Sequence, residues 1–190
     1  MQKTMSLKQI RFAIPILLLL KSRGGSEYTD YIRETLPSKL DPPLTASDLT
    51  PNKSDGYPSW WTHAKWTRNE LITLGYLFKA SHGEWALTAK GRELANLPLE
   101  EQRRTLLAPL MNAKEETLYR KVAEILRQEG PQFLTENPAV PIDAYTVFAR
   151  ANETDLKGKP VPRARDFHEK LKPYLEKAEL ELALEGLMDI

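Results

Sequence analysis

The sequence contains no cysteine. Disulfide bonds and thiolate metal sites are therefore excluded, and the composition fits a reducing cytoplasm, where we expect the protein to reside. The histidines are His63, His82 and His168. None has a second histidine or a carboxylate at ligand spacing on a common face, so we predict no metal site. The apolar run at 13–20 is about half as long as a membrane-spanning helix and is interrupted by Pro15, so we expect no membrane association.

Motifs for nucleotide binding and acyl transfer are also missing. The glycine pair Gly24-Gly25 lacks the Lys-Ser/Thr of a phosphate-binding loop. No serine occupies a strand-to-helix elbow of the kind that hydrolases use. We therefore predict that this chain alone is not an enzyme and uses no cofactor.

Charge is distributed unevenly along the chain. Residues 1–98 hold 13 Lys/Arg against 9 Asp/Glu, a net charge of +4, whereas residues 99–190 hold 14 against 17, a net charge of −3. A mildly basic first half is compatible with phosphate contacts, although many domains that bind no nucleic acid carry a similar charge.

The stretch from Ser59 to Leu94 has the most informative pattern. A helix is predicted over 59–74, followed by short strands at Tyr76–Lys79 and Glu84–Leu87. Gly75 and Gly83 suit positive φ at the helix end and in the turn, and Thr88 is placed to cap the next helix. A helix that feeds directly into a β-hairpin indicates a winged helix, a variant of the helix-turn-helix.

The helix over 59–74 has two distinct sides at a period of 3.6 residues. The side predicted to face the core carries Trp60, Ala64, Thr67, Leu71 and Leu74. The side predicted to face solvent carries Thr62, Lys65, Asn69 and Thr73, with Trp66 and Arg68 at its flanks.

Two further helices are predicted before this stretch. The first runs from Ile10 to Lys21 with Ile14, Leu17 and Leu18 facing inward. The second runs from Glu27 to Thr35, capped by Ser26. Its predicted apolar stripe consists of Tyr28, Tyr31, Ile32 and Leu36. The proline-rich connection over 37–58 contains one predicted helical turn, at 44–49.

A second, helical domain is predicted over 99–190 after a hinge at 96–98. Its helices are expected at Leu99–Met111, Lys114–Gln128, Asp143–Ala151 and about Ala164–Leu187, with an irregular stretch at 133–144. We expect this appendage to serve packing or dimerisation, and the chain can also be a fragment of a longer protein.

Residues 8–95 resemble a known family. A tryptophan-led helix that ends in a small residue, glycine and an apolar residue precedes a Gly-x-Trp-x-Leu-Thr hairpin and a Gly-Arg helix. The matching positions are Trp66, Leu71, Gly75, Gly83, Trp85, Leu87, Thr88, Gly91 and Arg92. This pattern resembles the N-terminal winged-helix domain of Mrr-type, methylation-dependent restriction endonucleases. Leu74 and Tyr76 depart from the alanine and leucine usual in the family, and both changes keep the positions apolar.

The resemblance implies a mainly α fold with a small β-hairpin and a non-catalytic role in a restriction or phage-defence system. The nuclease half of such enzymes uses an Asp followed by Glu/Gln-x-Lys, and neither tripeptide occurs in this chain. The implied partner is double-stranded DNA, unmodified or methylated. A nuclease or motor would then be supplied by another domain or subunit.

The DNA-binding model assigns the major groove to helix 59–74 and the DNA backbone to the wing at 76–87. The predicted contact residues are Lys53, Thr62, Lys65, Trp66, Arg68, Asn69, Lys79, Ser81 and His82. A solvated helix face would carry similar residues without any partner. Trp61 and Trp66 are expected to be partly exposed, for packing or for stacking on a base.

Two other functions stay open at this point. One is a stand-alone transcriptional regulator that forms a homodimer through its C-terminal helices. The other is a winged helix used only for protein–protein contact, which the weak net charge of +1 permits.

Overall fold

The structure, a computed structural model, describes residues 7–41, 43–53, 55–130, 133, 143–154 and 159–187, with side chains from residue 9 onward. Most of the stretch predicted to be irregular at 133–144 lies outside these residues. The chain divides into two compact units, Met1–Gln102 and Arg103–Ile190. The protein is mainly helical with one small antiparallel sheet, which confirms the predicted fold class.

The first unit alternates helices with three short strands. Its elements are α1 (Leu7–Ser22), β1 (Ser26–Tyr28), α2 (Thr29–Thr35), a 3-10 turn (Leu36–Lys39), α3 (Ala46–Leu49), α4 (Ser59–Thr73), β2 (Leu77–Lys79), β3 (Glu84–Leu87) and α5 (Ala89–Asn96). The sheet has the order β1-β3-β2 and is antiparallel throughout. A helix, α4, thus leads into the hairpin β2–β3, as the winged-helix prediction requires.

Strand β1 was not expected from the sequence. Ser26 lies opposite Ala86 and Tyr28 lies opposite Glu84, so Ser26 belongs to the sheet. The prediction of Ser26 as the helix cap is wrong, because α2 begins only at Thr29. An isolated two-stranded hairpin is marginally stable, and β1 pairs the edge of β3 that would otherwise be free.

Helix α1 forms the centre of the first unit. Phe12, Ile16, Leu17 and Leu20 are fully buried, because α1 packs against α4, α5 and the sheet at once. Leu18 is 38% exposed, so its predicted inward position is wrong. The predicted α2 stripe is also only half correct. Its tyrosines lie toward solvent, whereas Ile32 and Leu36 are fully buried.

Local geometry around the hairpin agrees with the turn chemistry. Gly75 and Gly83 adopt φ of 79° and 77°, which disfavours any residue with a Cβ. The Thr88 hydroxyl accepts a hydrogen bond of 3.0 Å from the Gly91 amide, which confirms the predicted cap of α5.

The described part of the second unit is mainly helical. It contains α6 (Leu99–Leu107, which begins before the division between the units), a 3-10 turn (Ala108–Leu110), α7 (Ala113–Glu129), α8 (Ala144–Ala151) and α9 (Pro162–Leu184). Asp143 caps α8 through the Thr146 amide and pairs with Arg103 of α6 at 2.6 Å. The Tyr145 hydroxyl donates a 2.7 Å hydrogen bond to Glu116 of α7. Buried polar contacts therefore fix α8 against two neighbouring helices.

Candidate nucleic-acid interface

Helix α4 has a buried side and an exposed side, as its sequence predicts. Trp60, Ala64, Thr67 and Leu71 are buried. The Thr67 hydroxyl lies 2.9 Å from the His63 carbonyl and 3.2 Å from the Gln9 carbonyl, which satisfies this polar group in the core.

The exposed side of α4 is narrower than predicted. Trp66, Asn69 and Thr73 are exposed and lie three and four residues apart, on one side of the helix. Thr62 and Lys65 were predicted to face solvent, but they are half-buried because the loop that leads into α4 contacts them.

We define the 51–58 loop by the β-bridge between Pro51 and Pro58, which closes it. Inside the loop, the Asn52 amide donates a 2.8 Å hydrogen bond to the Tyr57 carbonyl. The Asn52 side-chain amide donates a 2.7 Å hydrogen bond to the Thr62 hydroxyl. The loop is thereby attached to the first turn of α4.

Lys65 also bonds to the 51–58 loop. Its Nζ lies 3.3 Å from Asp55 Oδ2 and 5.3 Å from the centre of the Tyr57 ring. Arg33 of α2 lies 5.7 Å from the centre of the same ring. Lys65 is therefore an internally paired cation in this structure, and not a free one as the sequence suggested.

Arg68 lies between α4 and the wing. Its guanidinium carbon is 5.4 Å from the centre of the Trp85 ring on β3. Burial lowers the pKa of Arg68, and its Nε is buried without a hydrogen-bond partner in the described part of the chain. No described acidic side chain pairs with it. Arg68 is a partly desolvated cation that is held by an aromatic ring.

The tryptophans separate into a buried group and one exposed residue. Trp61 is 2% exposed and stacks on Trp85, with ring centroids 5.7 Å apart. Trp60 meets Trp61 edge-on at 5.4 Å. The expectation that Trp61 is partly exposed is thus wrong, because the helix packs against both α1 and the sheet. Trp66 is 46% exposed, as predicted, and its ring meets that of His63 edge-on at 5.4 Å.

The wing residues predicted to contact DNA are all exposed. Lys79, Ser81 and His82 lie at the end of β2 and in the turn. The Ser81 hydroxyl donates a 2.9 Å hydrogen bond to Glu84, so it is engaged within the wing. Lys79 lies opposite Trp85 in the sheet register, and Arg68 contacts the ring of the same tryptophan.

Pairing with acids distinguishes the cations of the first unit. Arg11, Arg23, Arg33 and Lys65 each pair with a carboxylate. Among the predicted contact residues, Lys53, Arg68 and Lys79 have no ion-pair partner within the described ranges. The charges of these three residues are therefore available to an outside anion.

Sequence reasoning missed Asp55 and Tyr57, which bind Lys65, and Phe78, whose side chain is 46% exposed on β2. No local sequence pattern identifies Asp55 and Tyr57, because they lie ten and eight positions before Lys65. The path of the loop that brings them to Lys65 depends on tertiary structure. The exposure of Phe78 could have been predicted from the sequence, since it is next to the buried Leu77 on a strand, where successive side chains point to opposite faces.

Residues 10–96 match the family model of the Mrr N-terminal domain. The first unit contains an Mrr N-terminal domain. The resemblance predicted over residues 8–95 is therefore confirmed, from the first turns of α1 to the end of α5. The match covers the N-terminal domain alone, and no catalytic nuclease domain is identified in the chain. Comparison with curated proteins and with solved structures found no match.

Two other features of the chain bear on function. Within the residues that the structure describes, no group of three or more His, Asp or Glu side chains is placed to hold a metal ion. No helix in that part of the chain is long and apolar enough to cross a membrane.

Proposed function

We propose that the Mrr N-terminal domain of this protein is a non-catalytic specificity domain that binds double-stranded DNA in a restriction or defence system. Helix α4 lies in the major groove and the β2–β3 wing contacts the backbone. The domain thereby positions a nuclease or motor that another domain or subunit supplies. DNA contact by the nine residues named in the sequence analysis is a prediction. The geometry supports this role for some of them more than for others.

Base readout is best supported for the exposed side of α4. The Asn69 amide can make two hydrogen bonds to the edge of an adenine, and the exposed face of Trp66 can contact a thymine methyl group. A methyl group on cytosine would offer Trp66 a similar apolar contact. This side of α4 therefore suits unmodified or methylated duplex DNA.

The observation that carries the proposal is the set of acid-free cations beside α4. Lys53 precedes the helix, Arg68 lies on its flank and Lys79 lies on the wing. Cations that are not neutralised internally can release counterions from DNA when they contact phosphates, and this release supplies most of the sequence-independent affinity. The position of these three residues supports backbone contacts on both sides of the reading helix.

The direct test is a binding assay on unmodified and methylated duplexes of equal sequence across a salt series. We expect an affinity that falls steeply with salt. Replacement of both Lys53 and Lys79 by glutamate should weaken binding at least tenfold and make the salt slope shallower by about two. Both side chains are exposed, so the fold should survive these changes.

The matched control is the double variant Lys114→Glu with Lys172→Glu. It changes the net charge by the same amount, and both lysines are exposed on helices of the second unit. Equal losses in the two double variants would attribute the effect to net charge alone. Wild-type protein that binds no duplex at low salt would overturn the proposal.

A protein–protein module is the second candidate, and the exposed aromatic residues favour it. Trp66 and Phe78 are each 46% exposed, and Lys65 is neutralised by Asp55. This candidate predicts no duplex binding and indifference to the lysine changes. A stand-alone regulator would differ from both in forming a stable dimer on a palindromic site, which sedimentation with DNA would detect.

A further inference from the structure

The 51–58 loop presents a fixed carboxylate beside α4. Asp55 Oδ1 accepts a 3.1 Å hydrogen bond from the Tyr57 amide, while Oδ2 lies 3.3 Å from Lys65 Nζ. Gly56 has φ of 70°, and its amide donates a 3.0 Å hydrogen bond to the Asn52 carbonyl. The loop backbone therefore orients the Asp55 carboxylate independently of Lys65.

Lys65 is held by two groups of this loop. The Asp55 carboxylate attracts the ammonium group directly, and the face of the Tyr57 ring attracts it through its π-electrons. The side chains of Lys65 and Asp55 are 41% and 34% exposed, respectively, so a molecule that approaches α4 from solvent can reach both. An exposed ion pair of this kind is weak enough for another anion to replace the carboxylate.

We propose that Asp55 is a binding-site residue that competes with DNA for Lys65 and thereby limits the affinity. This inference rests on the DNA-binding function proposed above. In the free domain Lys65 is bound to Asp55, and on DNA it exchanges the carboxylate for a backbone phosphate or a guanine edge. Breaking the ion pair between Lys65 and Asp55 costs the same free energy on a duplex of any sequence.

The consequence is a lower affinity for every duplex, whatever its sequence. Phosphate contacts carry no sequence information, whereas base contacts by Asn69 and Trp66 form only on a matching site. A penalty that is equal for all duplexes leaves the ratio of these affinities unchanged. It does raise the protein concentration at which a duplex without base contacts becomes occupied.

The test compares wild type, Asp55→Asn, Lys65→Gln and the double variant on a random-sequence duplex across a salt series. Asparagine keeps the Oδ1 acceptor for Tyr57, removes the charge and replaces the Oδ2 acceptor by an amide donor. We expect Asp55→Asn to bind about three- to tenfold more tightly at low salt, with a steeper salt slope, because Lys65 then reaches DNA without the breaking of an internal ion pair that salt also weakens. In the Lys65→Gln background the same change should have a much smaller effect.

Glu93→Gln is the matched control, because it removes one exposed negative charge from α5 of the same domain. It should leave the affinity within twofold of wild type.

If wild type binds the duplex and Asp55→Asn neither tightens binding nor steepens the slope, the competition is refuted while DNA binding stands. If Asp55→Asn tightens binding equally in the wild-type and the Lys65→Gln backgrounds, Asp55 acts by repelling DNA phosphates in general. The proposed exchange of Lys65 between Asp55 and DNA is then refuted. If neither wild type nor Asp55→Asn binds at any salt, both proposals fail.

Discussion

Trp61 on α4 and Trp85 on β3 stack with ring centroids 5.7 Å apart and ring planes inclined by 11°. Both side chains are buried. Seven residues after Trp61 on the same helix, Arg68 also contacts the Trp85 ring. Two residues of α4, two helical turns apart, thus contact the same ring of the wing, and the two proposed DNA-contacting elements pack directly against each other.

Loss of the Trp85 ring should destabilise the first unit strongly. We expect Trp85→Ala to lower the free energy of unfolding by about 3–5 kcal/mol, because it removes a buried ring and leaves a cavity between α4 and the sheet. Urea unfolding followed by far-ultraviolet circular dichroism measures this change. Trp66→Ala is the control, and since that ring is half exposed its cost should stay below about 1–2 kcal/mol. Equal costs would contradict the assigned packing.

Gly91 on α5 should not tolerate a side chain. A Cβ at this position would overlap the Tyr76 carbonyl oxygen and approach Leu87 Cδ2 at 3.2 Å. Helix propensity alone favours alanine over glycine by about 1 kcal/mol. We nevertheless expect Gly91→Ala to destabilise the first unit by about 1–3 kcal/mol, since α5 must move away from the hairpin.

Thermal and urea unfolding of Gly91→Ala test this expectation. Glu93→Ala, on an exposed position of the same helix, should shift the free energy of unfolding by no more than about 0.5 kcal/mol. A Gly91→Ala protein that is more stable than wild type would show that propensity outweighs the close approach.

Asp48 should make the first unit sensitive to acid. Its carboxylate pairs with Arg11 at 3.1 Å, and both side chains are largely buried. Burial raises the pKa of Asp48, but the Thr45 amide and the Arg11 guanidinium together outweigh this effect and lower the pKa below its ordinary value of 3.8. Because this pKa is lowered in the folded state, the ionised Asp48 carboxylate stabilises the fold above pH 3.8. That stabilisation is lost as the pH falls through the pKa of Asp48 in the folded state.

The expected result is a difference between wild type and Asp48→Asn that depends on pH. At neutral pH the variant should lose on the order of 3 kcal/mol, because it breaks the buried ion pair between Asp48 and Arg11. This difference should shrink as the pH falls below 3.8. Tryptophan fluorescence in urea reports the first unit alone, since all four tryptophans belong to it. A difference that stays constant as the pH falls from neutral to well below 3.8 would refute the assignment.

The elements that could be predicted from sequence are those with strong local patterns. Helix α4, the β3 strand and the Thr88 cap depend on residue spacing and turn chemistry within a few positions. Strand β1 could not be predicted, because three residues carry too little periodicity and the strand forms only to pair the free edge of β3. Trp61 was misassigned for a related reason, since its burial depends on a partner 24 positions away.

The sequence by itself determined the winged-helix class, the family of residues 10–96 and the exposed side of α4 at Trp66 and Asn69. The winged-helix class and the exposed side of α4 follow from short-range periodicity, capping and glycine positions, and the family follows from the resemblance to known members. Tertiary structure decided which cations are available. Lys65 and Arg68 look equivalent along the helix, yet one is paired with Asp55 and the other is held on Trp85 without an acid. Charge pairing depends on distance in space, and the path of the 51–58 loop sets that distance.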